Sequence, residues 1–402
     1  MSLHSLMFGW EYPPLHLGGL GVACQGLVHG LLRNGVKVTL VLPHPHGEDE
    51  GHDVISPTKE NIENIKIQSM LSPYETNNSY IKRIAKVSKE MAEIYGNDLP
   101  QAVAHFTSMS VDMTRHTNPD VVHCHDWMTY GAGIQASVHH RKPLVAHIHA
   151  TELDRTHFAP NGWIYEQELN GFNAADKIIA VSGYTKNILV EHYGINPDKV
   201  SVVHNGNSDM YNPEAVNLNS EFRKQNKNPL ILFLGRLTLQ KGANQFLDMA
   251  VRVHSIRPDV RFVIAGDGGM MDELVNRTCE LGLRDYVAFV GKVSNSEARK
   301  LYAAASCFVM PSLSEPFGLV ALEAIAQGTP VILSKQSGAS EVVGHSFKVD
   351  FWDTEMMADC ALTILREEPL AEQLRSEAPS TLHRLTWQNQ AGHVYDIYKN
   401  LT

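Results

Sequence analysis

The sequence predicts an α/β protein of two parallel-sheet domains, and three observations carry that expectation. A chain of 402 residues is too long for one ordinary core, so two domains of roughly 200 residues each are expected. Short apolar runs alternate with helix-length amphipathic segments from end to end, the order of parallel strands joined by helical crossovers. Glycine-rich turns follow several of those runs, at Gly18-Gly19-Leu20-Gly21, at Gly235 and at Gly266-Asp267-Gly268-Gly269, where strand-to-helix turns must stay compact.

In the first half, strands are expected near Leu3–Phe8, Val36–Leu42, Val121–His123, Leu144–Ile148, Lys177–Val181 and Val200–His204. An amphipathic helix spans Val22 to Arg33 and ends at Asn34-Gly35, and Ser182 is placed to cap a helix running through Tyr193. Pro43 to Asn64, with Glu48-Asp49-Glu50, lacks periodicity and reads as a solvated loop. Asparagines and Pro213 interrupt the apolar pattern over Asn205 to Asn228, read as the interdomain linker. The pattern restarts with strands at Leu230–Leu234, Arg261–Ala265, Tyr286–Val290, Cys307–Met310 and Pro330–Leu333. Trp387, Val394, Ile397, Tyr398 and Leu401 then recur at near-helical spacing. The expected domains are 1–206, 207–386 and a terminal helix, 387–402.

Composition narrows the function classes. A net charge of -10 argues against nucleic acid or an anionic membrane as the main partner. Five scattered cysteines with no C-x-x-C pair suggest neither a disulfide framework nor a zinc cluster, and a reducing cytoplasm is expected. Met1 to Trp10 shows no cationic n-region, and no segment approaches ~20 uninterrupted apolar residues. Neither an export signal nor a membrane span is expected.

The most informative run is Ser314-Glu315-Pro316-Phe317-Gly318-Leu319-Val320-Ala321-Leu322-Glu323-Ala324. If Gly318 opens a helix, Glu323 lies on its first turns and Glu315 in the loop above its N-terminus, both facing one cleft. The apolar positions bury that helix against a sheet and aim its free N–H groups at whatever sits beside Glu315. Arg236 and Lys241 flank another strand-to-helix turn, a pattern suited to a diphosphate, Arg binding two oxygens and Lys acting as a point charge. His123, His125, His147, His149 and His157 invite a metal reading, but no H-E-x-x-H occurs. His149 stands at a strand end where open parallel sheets bind ligands, or is a histidine satisfied by backbone. Asp126, in a strand-end His-Asp-Trp run, is similarly placed or is a helix N-cap.

The Glu315 to Glu323 run resembles the E-x7-E motif of retaining glycosyltransferases with the GT-B fold, of the family-4 type and its glycogen and starch synthase-like branch. Gly18-Gly19-Leu20-Gly21, His123-Cys124-His125-Asp126-Trp127 and Gly235-Arg236-Leu237 to Lys241-Gly242 match the same family in the same order. The resemblance covers essentially the whole chain. It implies two Rossmann-like domains facing a deep cleft, the first on the acceptor side and the second on the donor side, with the C-terminal helix returning to pack on the first.

The resemblance also implies roles. Gly18 and Gly19 approach the donor diphosphate, while His16 stands where the family usually has lysine. Arg236 and Lys241 clamp the diphosphate. Glu315 contacts the transferred sugar, and Phe317, Gly318 and Leu319 line the donor site. Glu323 takes the ribose hydroxyls, and Gly266 belongs to the donor-base side or is a plain turn. His149 meets the sugar near its 6-hydroxyl, and Asp126 and His16 lie on the acceptor or sugar side. The implied reaction moves a hexosyl group, glucose as first choice, from a UDP-, ADP- or GDP-sugar to a carbohydrate or small-molecule acceptor with retention. No D-x-D pair occurs, so neither a metal nor another cofactor is expected. A GT-B sugar-nucleotide 2-epimerase and a non-catalytic nucleotide-sugar binding protein are the alternatives.

Overall fold

A computed structural model describes residues 2–13, 19–45, 62–69, 76–84, 98–207, 212–225 and 228–402. Among them are two fully parallel sheets. The first comprises β1 (His4–Phe8), β2 (Lys37–Pro45), β3 (Ile62–Ser69), β4 (Val121–His125), β5 (Leu144–Ile148), β6 (Lys177–Ala180) and β7 (Val200–Val202), in the order β3-β2-β1-β4-β5-β6-β7. The second comprises β8 (Leu230–Leu234), β9 (Arg261–Ala265), β10 (Val287–Gly291), β11 (Cys307–Met310), β12 (Val331–Ser334) and β13 (Phe347–Val349), in the order β10-β9-β8-β11-β12-β13. The winding direction reverses between β1 and β4 and again between β8 and β11. Such reversals open a crevice at the carboxyl edge, because successive connections leave on opposite faces of the sheet. The turn at Gly235 and the Glu315 run leave from the crevice of the second sheet.

Every strand expected from the sequence is present, with ends shifted by a few residues. Two differences have physical causes. The stretch expected to be loop from Pro43 to Asn64 is entered by β2 as far as Pro45 and by β3 from Ile62, while 46–61 lie outside the described residues. β3 is the outermost strand and pairs only with β2; its apolar residues alternate with Glu, Asn and Lys too briefly to stand out. The expected linker contains a helix, Pro213–Gln225. Asn212 Oδ1 accepts from the N–H groups of Glu214 and Ala215 at 3.0 and 3.3 Å, so Asn212-Pro213 starts a helix instead of breaking the chain. Buried Arg223 ties that helix to the second domain through the carbonyls of Ala303 and Gly328.

The terminal helix Trp387–Leu401 packs along helix Gly19–Arg33. Trp387 fits against Gly26, where a Cβ would lie 2.2 Å from the indole, and Trp387, Ala391, Val394 and Tyr398 join the apolar core of the first sheet. All five cysteines are free thiols. Among the described residues no helix is long and apolar enough to cross a membrane.

Candidate active site

Across the β8/β11 crevice, Lys241 Nζ meets Glu315 Oε2 at 2.6 Å, and Ser312 Oγ donates to the same oxygen at 3.3 Å. The loop carrying Glu315 is braced from both sides. Leu313 N donates to Gln240 O (2.8 Å), Glu315 N to Gln336 O (2.9 Å) and Gly338 N to Glu315 O (3.0 Å). Gly318 then turns the chain into helix Leu319–Ala326 at φ 102°, which a side chain rarely adopts. Among the described residues no side chain caps this helix, so its first N–H groups are left for a ligand. The N-terminus of helix Gly19–Arg33 faces it, since a Cβ on Gly19 would lie 3.7 Å from Leu319 Cδ1. The cleft therefore has a helix start on each wall beside the Lys241–Glu315 pair.

Glu323 lies on the second turn of its helix and accepts from Tyr302 OH at 3.0 Å. A cavity of about 100 Å³ opens beside it, lined by Val22, Arg299, Tyr302, Leu319 and Trp387 among others. Half-buried Arg236 follows β8 directly, and buried Phe317 stacks obliquely on His204 of the first domain at 6.0 Å. Gly266 has a packing reason of its own: at φ 136° its backbone abuts Gly235, and a Cβ would sit 1.8 Å from the Gly235 carbonyl oxygen. The turns after β8 and β9 are thereby held together. His16 and Gly18 lie outside the described residues.

On the opposite wall, β4 and β5 place His125 directly across from His147. With His123 and His149 these rings form a layered array, 4.6 Å between His123 and His125 and 4.3 Å between His147 and His149. His125 Nδ1 and His149 Nε2 share a proton at 2.9 Å, and His123 Nδ1 meets Tyr398 OH at 2.5 Å. Burial pushes His123 and His149 down to about 3 and holds His125 and His147 well below the ordinary imidazole range, so all four are neutral at pH 7. His125 Nε2, His147 Nε2 and His149 Nδ1 find no hydrogen-bond partner among the described residues. Two groups, Cys24–His125–His149 and His123–His125–His147, bring donor atoms within 4.8 Å of one another.

Asp126 occupies the N-cap position of helix Trp127–His140 at φ 58°, but its carboxylate caps no N–H of that helix. It accepts instead from His149 N at 2.7 Å and from Ala150 N, fixing the chain where β5 ends. Burial raises the Asp126 carboxyl to about 6, against the downward pull of Arg155 and the two N–H donors.

The tertiary structure also reveals residues that spacing did not flag. Ser314 Oγ donates to Asp154 Oδ1 of the first domain at 2.5 Å and lies 2.9 Å from Tyr184 OH. Glu341 of the second domain accepts from Gly183 N and Tyr184 N at 2.9 and 2.6 Å and meets His204 Nε2 at 3.2 Å. Burial raises the Glu341 carboxyl, but those donors outweigh it and hold it below its usual range. In the sequence, Thr151-x-x-Asp154 signals only a local capping box, which it does form.

Comparison with known proteins decides the family. Family models described as glycosyltransferase family 4 and glycosyl transferases group 1 match residues 17–207 and 217–381. An uncharacterized glycosyltransferase of Methanocaldococcus jannaschii is 31% identical over 98% of this chain and 97% of its own length. The chain belongs to the family-4 GT-B glycosyltransferases. A glycogen synthase of Mycobacterium tuberculosis is 28% identical to this glycosyltransferase over 98% of the chain and 94% of the relative. Anabaena HepE, solved with UDP and glucose, superimposes with a TM-score of 0.73 at 19% identity, covering 99% of this glycosyltransferase and 100% of HepE. Sucrose-phosphate synthase of Thermosynechococcus elongatus gives 0.77 at 19% identity, covering 100% and 99%. At such identity these two show the shared GT-B fold.

Proposed function

We propose that the enzyme transfers a hexosyl group, glucose as first choice, from a nucleoside diphosphate sugar to an acceptor hydroxyl with retention at the anomeric carbon. The observation that carries this reading is the Lys241–Glu315 contact between two facing helix starts. Lys241, Arg236 and the N–H groups at Gly318 and Leu319 stabilise the departing diphosphate, where charge grows in the transition state. Glu315, beside the anomeric carbon, favours its oxocarbenium-like charge, and Glu323 accepts from the ribose hydroxyls in the adjoining cavity. His149 is neutral, so it offers hydrogen bonds to the sugar and no proton at pH 7. Asp126 acts through His149 by fixing its backbone. The leaving phosphate takes the proton of the incoming hydroxyl.

The relatives support a uridine nucleotide and glucose, since HepE is solved with UDP-glucose and another relative is named a glycogen synthase. Fixed cations and helix termini supply the charge a metal would otherwise bring, so we infer metal-independent turnover. The five free thiols suit a reducing cytoplasm.

The test incubates the protein with UDP-, ADP- and GDP-glucose, with and without a soluble α-glucan, and follows diphosphate release and product stereochemistry. Acceptor-dependent release with an α-linked product is the expected result. An inverted product would overturn the retaining assignment, and a new sugar nucleotide formed without acceptor would replace it with the epimerase.

A further inference from the structure

On the transferase reading above, we propose that five aromatic rings spanning the two domains form the binding site for an α-glucan acceptor. His192 of helix Gly183–Tyr193 stacks obliquely on Phe158 at 4.9 Å, and Phe158 neighbours His157 at 6.4 Å. His157 reaches across to Phe351 of the second domain at 6.4 Å, and Phe351 meets Trp352 at 4.9 Å. Trp352 is 64% exposed and Phe158 43%, an exposure that leaves aromatic surface in water at an apolar cost.

Both halves of the strip are tied to the Glu315 loop. His157 ends the short helix Glu152–Thr156, whose Asp154 accepts from Ser314. Phe351 N donates to Gln336 Oε1 at 3.3 Å, and the Gln336 carbonyl accepts from Glu315 N. His157 and Phe351, the two rings that meet across the domains, thus lie on segments linked by hydrogen bonds to Ser314 and Glu315. His157 and Phe158 sit at φ 52° and 62°, where glycine would be the unstrained choice. Two successive side chains are held there against backbone strain, which is consistent with the rings being needed.

The ligand chemistry follows from the surface. Pyranose rings present apolar C–H faces that pack on aromatic rings, and the two imidazoles supply hydrogen-bond partners for hydroxyls. An anionic lipid surface would instead call for Lys and Arg, whereas the chain carries a net charge of -10 and the flanking positions include Asp353 and Glu355.

The test is native electrophoresis through gels containing amylopectin, alongside calorimetry with UDP. The wild type should be retarded by amylopectin, and Trp352→Ala combined with Phe158→Ala should weaken that retention by about tenfold or more, while Trp352→Phe keeps most of it and UDP affinity stays within about twofold. Wild type unretarded by amylopectin, a double variant retained as strongly as wild type, or co-sedimentation with phosphatidylglycerol vesicles in preference to glucan would each overturn the proposal. Absence of UDP binding by the wild type would strike the donor reading instead, independently of the strip.

Discussion

Ser314 Oγ donates across the cleft to Asp154 Oδ1 at 2.5 Å, and Ser314 is the residue immediately before Glu315. The two domains are therefore joined at the position next to the carboxylate assigned to the sugar. Both groups are buried, so removing the donor leaves a buried carboxylate oxygen short of a partner. Ser314→Ala should lower kcat by about tenfold, ~1.4 kcal/mol, with UDP affinity within about twofold. Adding Asp154→Asn should cost little more, since both changes break one contact. Equal losses in turnover and UDP binding would reduce Ser314 to a folding role.

Lys241 has two jobs that can be separated. Lys241→Ala should lower kcat by about 100-fold, ~2.7 kcal/mol, and should also lower Tm, because Glu315 is left as an unpaired buried charge. Adding Glu315→Gln should restore much of the Tm and none of the turnover. Thermal melts and initial rates on the three variants check this, and unchanged turnover in folded Lys241→Ala would remove the residue from the active site.

Glu323 and Glu315 should respond differently. Ribose contacts exist equally in ground and transition states, so Glu323→Ala should mainly weaken UDP binding, whereas Glu315→Gln should mainly lower kcat. Calorimetry with UDP alone decides the first half. Intact UDP binding in Glu323→Ala would show that the ribose lies elsewhere.

The histidine array predicts a pH dependence of stability. Each of the four imidazoles has a folded pKa below its unfolded value, so its contribution is fully present above pH ~6.5 and is lost as pH falls. Asp126 and Glu168 run the other way. Burial raises them to about 6 and about 7, so the native state holds their protons where the unfolded chain does not. Asp154, also raised by burial, joins them in opposing the imidazoles, and the imidazoles contribute a positive slope of stability against pH that sets in below pH ~6.5. His147→Gln should reduce that slope by about one proton in denaturant titrations at pH 5 to 6.5. An unchanged slope would mean that His147 already carries a proton in the native state.

Metal removal should leave catalysis intact. With Arg236, Lys241 and two helix starts around the diphosphate, turnover should survive excess EDTA. Reversible loss of all activity in EDTA, with circular dichroism unchanged, would make ligands of the Cys24–His125–His149 or His123–His125–His147 groups, whose donor atoms lie within 4.8 Å.

Local information was enough for eleven of the thirteen described strands, β3 and β13 being missed, because apolar periodicity, the Ser182 cap and the Asn34-Gly35 stop are written in neighbouring residues. It was also enough to mark Lys241, Glu315 and Glu323, because a helix start with charged residues at fixed offsets needs no distant partner to be recognised. The helix that Asn212-Pro213 starts inside the expected linker was not foreseen, since the surrounding asparagines are equally at home in loops. Tertiary structure alone decided the rest. That Lys241 pairs with Glu315, that Ser314 finds Asp154 160 positions away, and that Asp126 serves His149 instead of its own helix all depend on where the two sheets reverse and how the domains face each other. Those contacts join side chains with no sequence spacing in common, so only the order of strands within each sheet, and for Ser314 and Asp154 the meeting of the two domains, brings them within hydrogen-bond reach.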